Sequence, residues 1–173
     1  MISNIFRGFI YFISLLLIQV LVLDNLYFLR VATPFLYIYF ILKMPVGIFR
    51  EAQIFLSFLM GVLIDTFTNT PGMHSTVCTF IGFIRDPLVY LYLGKDAQSG
   101  IIPSFKEFGG WKFFKFSLTF ICIHHILLFV LESLTLFDPM FLVLRIVASV
   151  LATLLLVCTV EALNIGYIKG GEN

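Results

Sequence analysis

Charged residues are scarce in this chain: Asp, Glu, Lys and Arg make up 12% of the 173 residues, whereas 60% are hydrophobic. Soluble domains are about one-quarter charged and about half apolar. A core of ordinary size cannot bury so many apolar side chains, so the expected solvent is lipid. The net charge of +1 also excludes the strongly basic surface that is typical of nucleic-acid-binding proteins. The composition therefore predicts an integral membrane protein in contact with the lipid bilayer, with no nucleic-acid partner.

Catalytic and metal-binding motifs are also absent from the sequence, which contains no GxSxG, P-loop, glycine-rich dinucleotide turn or HExxH. Cys78, Cys122 and Cys158 lie in apolar runs without metal-ligand spacing and are interpreted as small buried hydrophobic residues. His124 and His125 are adjacent, so on a helix they point about 100° apart and suit chelation of one ion poorly. We therefore expect a non-enzymatic protein with no metal and no cofactor.

The apolar residues form six segments, which predict an all-α membrane protein: a bundle of about six transmembrane helices in a single polytopic domain, residues 1–173. The segments are residues 6–26, 33–44, 51–68, 71–93, 111–134 and 139–167. The second is short, since a spanning helix needs roughly 20 residues. We expect it to begin nearer Leu29, to lie tilted or to be partly re-entrant. Arg7 precedes the first segment and no small-residue cleavage site follows, which favours a retained span over a signal peptide.

Basic residues concentrate at one set of gaps between the segments, which predicts the orientation. This set carries Arg7, Lys43, Arg50, Lys95, Lys106, Lys112, Lys115 and Lys169. The opposite set carries Arg30 with Asp24 and Asp138. Because Lys and Arg favour cytoplasmic loops, both termini are expected in the cytoplasm. The aromatic and lysine-rich run at residues 105–115 is interpreted as an anchor in the headgroup layer or a docking surface for a cytoplasmic partner.

Asp65 is an ionisable residue near the end of the third segment, where a charge is costly in lipid. Ser57, Gly61 and Asp65 are spaced by four and share a helix face, on which the two small residues allow close helix approach. Thr70 and Pro71 predict the cap and first residue of the fourth helix, whose positive end favours a nearby carboxylate. Asp65 is thus expected to tie the two spans together; a proton or cation site and direct partner contact are the alternatives.

Other polar residues inside the segments predict further contacts. His74 is expected one turn into the fourth helix, within reach of Asp65, as a structural histidine rather than a proton relay. Arg145 needs a carboxylate or must snorkel, so we expect it to pair with Asp65 or Glu132 inside the bundle. Four small residues of the sixth segment mark a close helix contact, within the chain or with a partner. They are Ala148, Ser149, Ala152 and Thr153.

Pro87 interrupts the fourth segment directly after Arg85 and Asp86. If the helix ended there, only about 14 residues would remain, too few to cross a bilayer. We therefore expect a kinked helix that continues to Leu93. Arg85 is expected to snorkel inward or to meet Glu161 near the inner end of the sixth segment.

The run Gly61-Val-Leu-Ile-Asp65, followed by Asn69-Thr-Pro-Gly-Met-His74, resembles the MreD family of rod shape-determining proteins. The chain length, the short second span that begins with Pro34 and the cytoplasmic ends also fit. The acidic residue usual soon after that proline is missing here. The resemblance implies a polytopic inner-membrane protein of bacterial cell-wall elongation with no known catalytic activity. It also implies a fold similar to the substrate-binding subunits of energy-coupling vitamin transporters.

The implied partners are an MreC-like single-span membrane protein and an elongation complex with MreB, RodA and a class B transpeptidase. We therefore expect a scaffold whose rigid bundle holds the partner's span. Its expected contact surfaces are the small residues of the sixth span and the turn formed by Gly61, Asp65, Thr70, Pro71, Gly72 and His74. The alternative is a small-molecule, vitamin-type transporter substrate-binding subunit, which would need an outward cavity with convergent polar groups.

Overall fold

The computed structural model describes residues 2–25, 32–94, 98–133 and 138–170, in which the regular structure is helical. The α-helices of this described part are α1 (Ile2–Leu21), α2 (Ile38–Leu42), α3 (Arg50–Thr68), α4 (Met73–Leu93), α5 (Phe105–Phe108), α6 (Gly110–Glu132) and α7 (Pro139–Gly170). A 3₁₀ turn, Leu23–Asn25, follows α1. As expected, α4 continues to Leu93 with Pro87 inside it.

Four helices are long and apolar enough to cross a membrane within the described residues, which indicates a multi-pass membrane protein. They are α3, α4, α6 and the Pro139–Asn164 part of α7. The prediction of about six helical spans is therefore confirmed only in part: four spans are found among these residues. The first segment supplies a shorter apolar helix, Gly8–Leu21, and the second supplies only the five residues of α2.

The second segment, residues 33–44, lies at the centre of the bundle. All residues of α2 are buried, and α2 contacts α1, α3, α4 and α6. Around it, α3 packs against α1 and α4, α6 against α4, and α7 against α6. Backbone that is not helical is tolerated at membrane depth only where protein or a water-filled cavity surrounds it. A tilted helix, one of the alternatives expected for this segment, is therefore not found: residues without regular structure lead into one short, enclosed helical turn. Leu29, the expected alternative start, lies outside the described residues.

Candidate functional site

The Asp65 carboxylate caps the helix that follows its own. Its Oδ1 accepts the N–H of His74 at 2.8 Å and the hydroxyl of Thr70 at 3.1 Å. Its Oδ2 accepts the N–H groups of Gly72 at 3.1 Å and Ser75 at 2.9 Å. The first N–H groups of a helix have no partner within the helix, and its partly positive end favours an anion. Asp65 therefore closes the turn between α3 and α4; we call these five residues the Asp65 clasp.

The predicted cap by Thr70, with Pro71 as the first helical residue, is wrong. Helix α4 begins at Met73, and no side chain of its N-cap residue, Gly72, bonds to it. The Thr70 hydroxyl instead donates to Asp65. A carboxylate accepts hydrogen bonds about twice as strong as those of a neutral group. Because Asp65 reaches the helix start from α3, it takes the place that the sequence suggested for Thr70.

Small residues bring the backbones of α3 and α4 into direct contact. A Cβ atom added to Gly61 would lie 2.4 Å from Cα of Ser75. A Cβ atom added to Gly82 would lie 2.5 Å from Oγ of Ser57. Ser57 and Gly61 thus face α4, which is the close approach that their spacing predicted. This contact holds the Asp65 carboxylate against the start of α4.

His74 contacts Asp65 through its backbone, while its ring turns into the bundle. Its Nδ1 lies 2.7 Å from the hydroxyl of Tyr37, which lies 2.9 Å from Nε2 of His124. Nearby, Nε2 of His125 lies 3.1 Å from the hydroxyl of Thr153. A phenol hydroxyl has one proton, so Tyr37 donates to one imidazole and accepts from the other. We call these five residues the buried polar core.

Gln19 of α1 supplies hydrogen bonds to the non-helical backbone of the second segment. Its side-chain oxygen accepts the N–H groups of Leu36 at 2.7 Å and Tyr37 at 3.4 Å. Its amide nitrogen donates to the carbonyl of Pro34 at 3.2 Å and to Asp24 at 2.7 Å. Buried N–H and carbonyl groups need such partners. One buried amide therefore replaces bonds that a helix would have made internally.

Two hydroxyls of α7, one helical turn apart, accept N–H groups of the same segment. The N–H of Thr33 donates to Ser149, and that of Phe35 donates to Thr153, both at 3.0 Å. Four helical residues rise about 6 Å, the distance that two extended residues cover. Two hydroxyls one helical turn apart can therefore bind the N–H groups of Thr33 and Phe35, which are two residues apart in this non-helical backbone. Ser149 and Thr153 are fully buried. These two of the four small residues of the sixth segment therefore make a contact within the chain.

Glu161 is a second buried carboxylate, at the opposite end of the bundle from Asp65. Its Oε2 accepts the hydroxyl of Tyr39 at 2.5 Å and the ammonium of Lys43 at 2.9 Å. Its Oε1 accepts the N–H of Phe105 at 3.4 Å. Glu161 thus joins α7 to the end of the second segment and to the start of α5.

The predicted contact between Arg85 and Glu161 does not form. Arg85 is fully buried and does not snorkel. Its guanidinium donates to the carbonyl of Met44, to Gln53 at 2.9 Å and to Asp86 at 3.2 Å. Because the second segment brings its own lysine to Glu161, Arg85 binds the loop end of that segment and the facing side of α3.

Arg145 pairs with Glu132 rather than with Asp65. Its Nη1 lies 2.8 Å from Oε1 of Glu132, and the two side chains are 26% and 39% exposed. The guanidinium also lies 4.5 Å from the ring centroid of Phe129. The expectation of a pair inside the bundle is therefore corrected: the ion pair lies on the partly exposed surface between α6 and α7.

Sequence reasoning missed Gln19, Gln53 and Tyr37. Each is a polar side chain inside an apolar run, the same signal that identified Asp65. Their uncharged side chains cost less to bury than a carboxylate, so the signal is weaker. Gln19 and Tyr37 became informative only when the structure showed that the second segment is not a helical span.

Comparison of the chain with protein-family models, curated proteins and solved structures found no match. Among the described residues, no group of three or more His, Cys, Asp or Glu side chains has an arrangement that could hold a metal ion. The functional proposal therefore depends on the Asp65 clasp, the second segment and the resemblance of the Gly61–His74 run.

Proposed function

We propose that this protein is a non-enzymatic, MreD-like scaffold of the bacterial cell-wall elongation machinery. It would lie in the inner membrane with both termini in the cytoplasm. Its partner would be a single-span MreC-like protein, in a complex with MreB, RodA and a class B transpeptidase. Its mechanism would be helix packing: a rigid bundle presents a fixed surface to the partner's span.

The observation that carries this proposal is the full engagement of the Asp65 carboxylate. A carboxylate has about four lone-pair sites, and Asp65 accepts four hydrogen bonds. A carboxylate so occupied is suited to fixing two helices, and poorly suited to binding a transported cation. The residues on which the family resemblance depends thus have a shared physical role in shaping the bundle.

The other two small residues of the sixth segment, Ala148 and Ala152, are half-buried and remain available for contact with a partner helix. They are one helical turn apart, and Leu144, Leu151 and Leu155 beside them on α7 are 55%, 60% and 67% exposed. Alanines at this spacing let a second backbone approach closely, and leucines then pack around the contact. We assign the span of the partner to this face of α7.

Depletion of the protein in its rod-shaped host tests the scaffold. Round cells are expected, and affinity purification of the wild type should recover a single-span partner. The double variant Ala148→Leu with Ala152→Leu should remain folded but lose the partner and fail to restore the rod shape. Val130→Leu, at a 44% exposed position of α6, is the matched control and should behave as wild type. Normal shape with loss of uptake of one nutrient would reject the scaffold.

The convergence of Tyr37, His74 and His124 favours a second candidate, a vitamin-type transporter subunit, since ligand sites combine an apolar cavity with a few placed polar groups. Tyr37→Phe removes the hydroxyl that contacts both imidazoles and separates the candidates. A scaffold carrying it should be slightly less stable, by about 1–2 kcal/mol, yet restore the rod shape. A transporter subunit should lose ligand uptake at temperatures where the variant remains folded.

A further inference from the structure

We propose that one end of the bundle is a binding surface for anionic lipid headgroups. Among the described residues at the end where α3 and α6 begin, the exposed cations are Arg50, Lys106, Lys112 and Lys115, and Lys115 lies over the exposed ring of Trp111. We call these five residues the basic end face. This inference depends on charge and exposure alone and is independent of the proposed function.

The fold sorts the aromatic and lysine-rich run into two sides. Phe108 and Phe113 are buried, and their rings lie against Phe116 and Phe105 at centroid distances of 5.5 Å and 4.8 Å. The lysines of the same run point outward and are exposed. Burial of the phenylalanines therefore fixes the backbone that presents the positive charges.

Trp111 forms an amphipathic platform on this surface. Its ring is 67% exposed and stacks on Phe114 at an interplanar angle of 4°. The ammonium of Lys115 lies 5.0 Å from the ring centroid. Indole rings favour the headgroup level of a bilayer, and an ammonium over the ring face is attracted to it. The pair is suited to a phosphate headgroup beside an apolar chain.

Hydrogen bonds between two loops add the start of α3 to the same face. The N–H of Val46 donates to Ile101 at 2.8 Å, and the N–H of Gly100 donates to Val46 at 2.7 Å. These bonds bring Phe49, which is 81% exposed, and Arg50 to the end of the bundle that holds the lysines. Apolar rings and cations are thus combined over the width of this end.

The two ends of the bundle differ in charge: one end has an excess of exposed cations, which suits an anionic leaflet, and the other has exposed carboxylates. Among the described residues, this end has the four exposed cations of the basic end face and two exposed carboxylates, Glu51 and Glu107. At the other end, Glu132 and Asp138 are exposed and Arg145 is paired with the former. Basic residues near a membrane surface are attracted to anionic lipids. The basic end face therefore matches the cytoplasmic leaflet.

The chain has one tryptophan, so fluorescence of Trp111 reports on the basic end face directly. The full-length protein would be placed in nanodiscs that contain equal fractions of brominated phosphatidylglycerol or brominated phosphatidylcholine, with the other lipid unlabelled. At low salt we expect at least about twofold stronger quenching by the anionic lipid. The difference should shrink as salt approaches about 1 M, where charges are screened beyond about 3 Å.

Two variants identify the lysines as the cause. Replacing Lys106, Lys112 and Lys115 together by Gln should abolish the preference, whereas replacing them by Arg should retain it. All three side chains are exposed, so thermal unfolding should be unchanged, and this is checked in the same nanodiscs. Equal quenching of the wild type by the two lipids would overturn the proposal, as would a preference that survives in the Gln variant. Absence of quenching by both lipids would overturn it too, and would indicate a surface for a cytoplasmic protein.

Discussion

The Asp65 clasp and the second segment satisfy buried backbone groups in opposite ways. In the clasp, one charged side chain binds N–H groups at most ten residues further along the chain. The second segment receives its bonds from Gln19, 15 residues from Pro34, and from α7, 116 residues from Thr33. The clasp can form as soon as two neighbouring helices meet. The second segment reaches its conformation only when α1 and α7 have both assembled around it.

The two sites also differ in the strength of their hydrogen bonds. The clasp uses a carboxylate, and bonds to charged groups contribute about 1.5–3 kcal/mol each. The start of the second segment, residues 33–37, uses an amide and hydroxyls for its backbone groups, and such bonds contribute about 0.5–1.5 kcal/mol each. Single substitutions in the clasp should therefore destabilise the protein more than single substitutions of the groups that bind this start.

The largest effect is expected for Gly61→Ala, which attacks the helix contact beneath the clasp. The added Cβ would lie 2.4 Å from backbone of Ser75, so α3 and α4 must separate. Overpacking costs about 1–3 kcal/mol when side chains can move, and a contact with backbone should reach or exceed the upper value. Gly8→Ala is the control, because its Cβ would meet nothing within 4 Å. Equal thermal stability of the two variants in detergent would contradict the close contact.

Asp65→Ala should have the next largest effect, because it leaves buried N–H groups of α4 without an acceptor. We expect a loss of about 2–4 kcal/mol in the free energy of unfolding. Asp65→Asn retains one oxygen acceptor and should lose less. Thr66→Ala is the neighbouring control, since that exposed hydroxyl bonds only to a carbonyl of its own helix. An Asp65→Ala variant as stable as this control would show that the clasp does not hold the turn.

The clasp could be predicted from the sequence because its parts are close along the chain. The spacing of Gly61 and Asp65 defined a helix face, and the following turn indicated where α4 starts. The error concerned which side chain caps that start. A carboxylate outcompetes a hydroxyl, and whether Asp65 reaches the helix depends on the angle between α3 and α4. That angle is set by the contact of Gly61 with Ser75, which local patterns do not specify.

The second segment could be predicted only in part. Its length showed that it is short for a helical span, which agrees with the five residues of α2. The non-helical start of the segment depends on Gln19, Ser149 and Thr153, which come from α1 and α7. Considered on its own helix, each of these residues is an isolated polar or small side chain. Their role arises only when Gln19 of α1 and the two hydroxyls of α7 meet the backbone of this segment.

Gln19→Leu tests the second segment by removing the side-chain oxygen that accepts two of its N–H groups. The variant keeps a side chain of similar length but leaves the N–H groups of Leu36 and Tyr37 unpaired, so we expect a loss of about 2 kcal/mol. Hydrogen exchange should accelerate at those two amides while the amides of α3 and α4 stay protected. Gln98→Leu, at an exposed position, is the control. Uniform acceleration across α3 and α4 would show that the two sites do not respond separately.

The smallest effect on stability is expected at the ion pair of Arg145 and Glu132. Its coupling energy is a reference value for the losses at the Asp65 clasp and around the second segment. Both side chains are partly exposed, and ion pairs in such positions contribute about 0.2–1 kcal/mol. A double-mutant cycle with Glu132→Gln and Arg145→Met should give a coupling energy within that range. Arg145 also packs on the ring of Phe129, so its single substitution should cost more than that of Glu132. A coupling energy as large as the loss in Asp65→Ala would mean that burial does not distinguish the clasp from this surface pair.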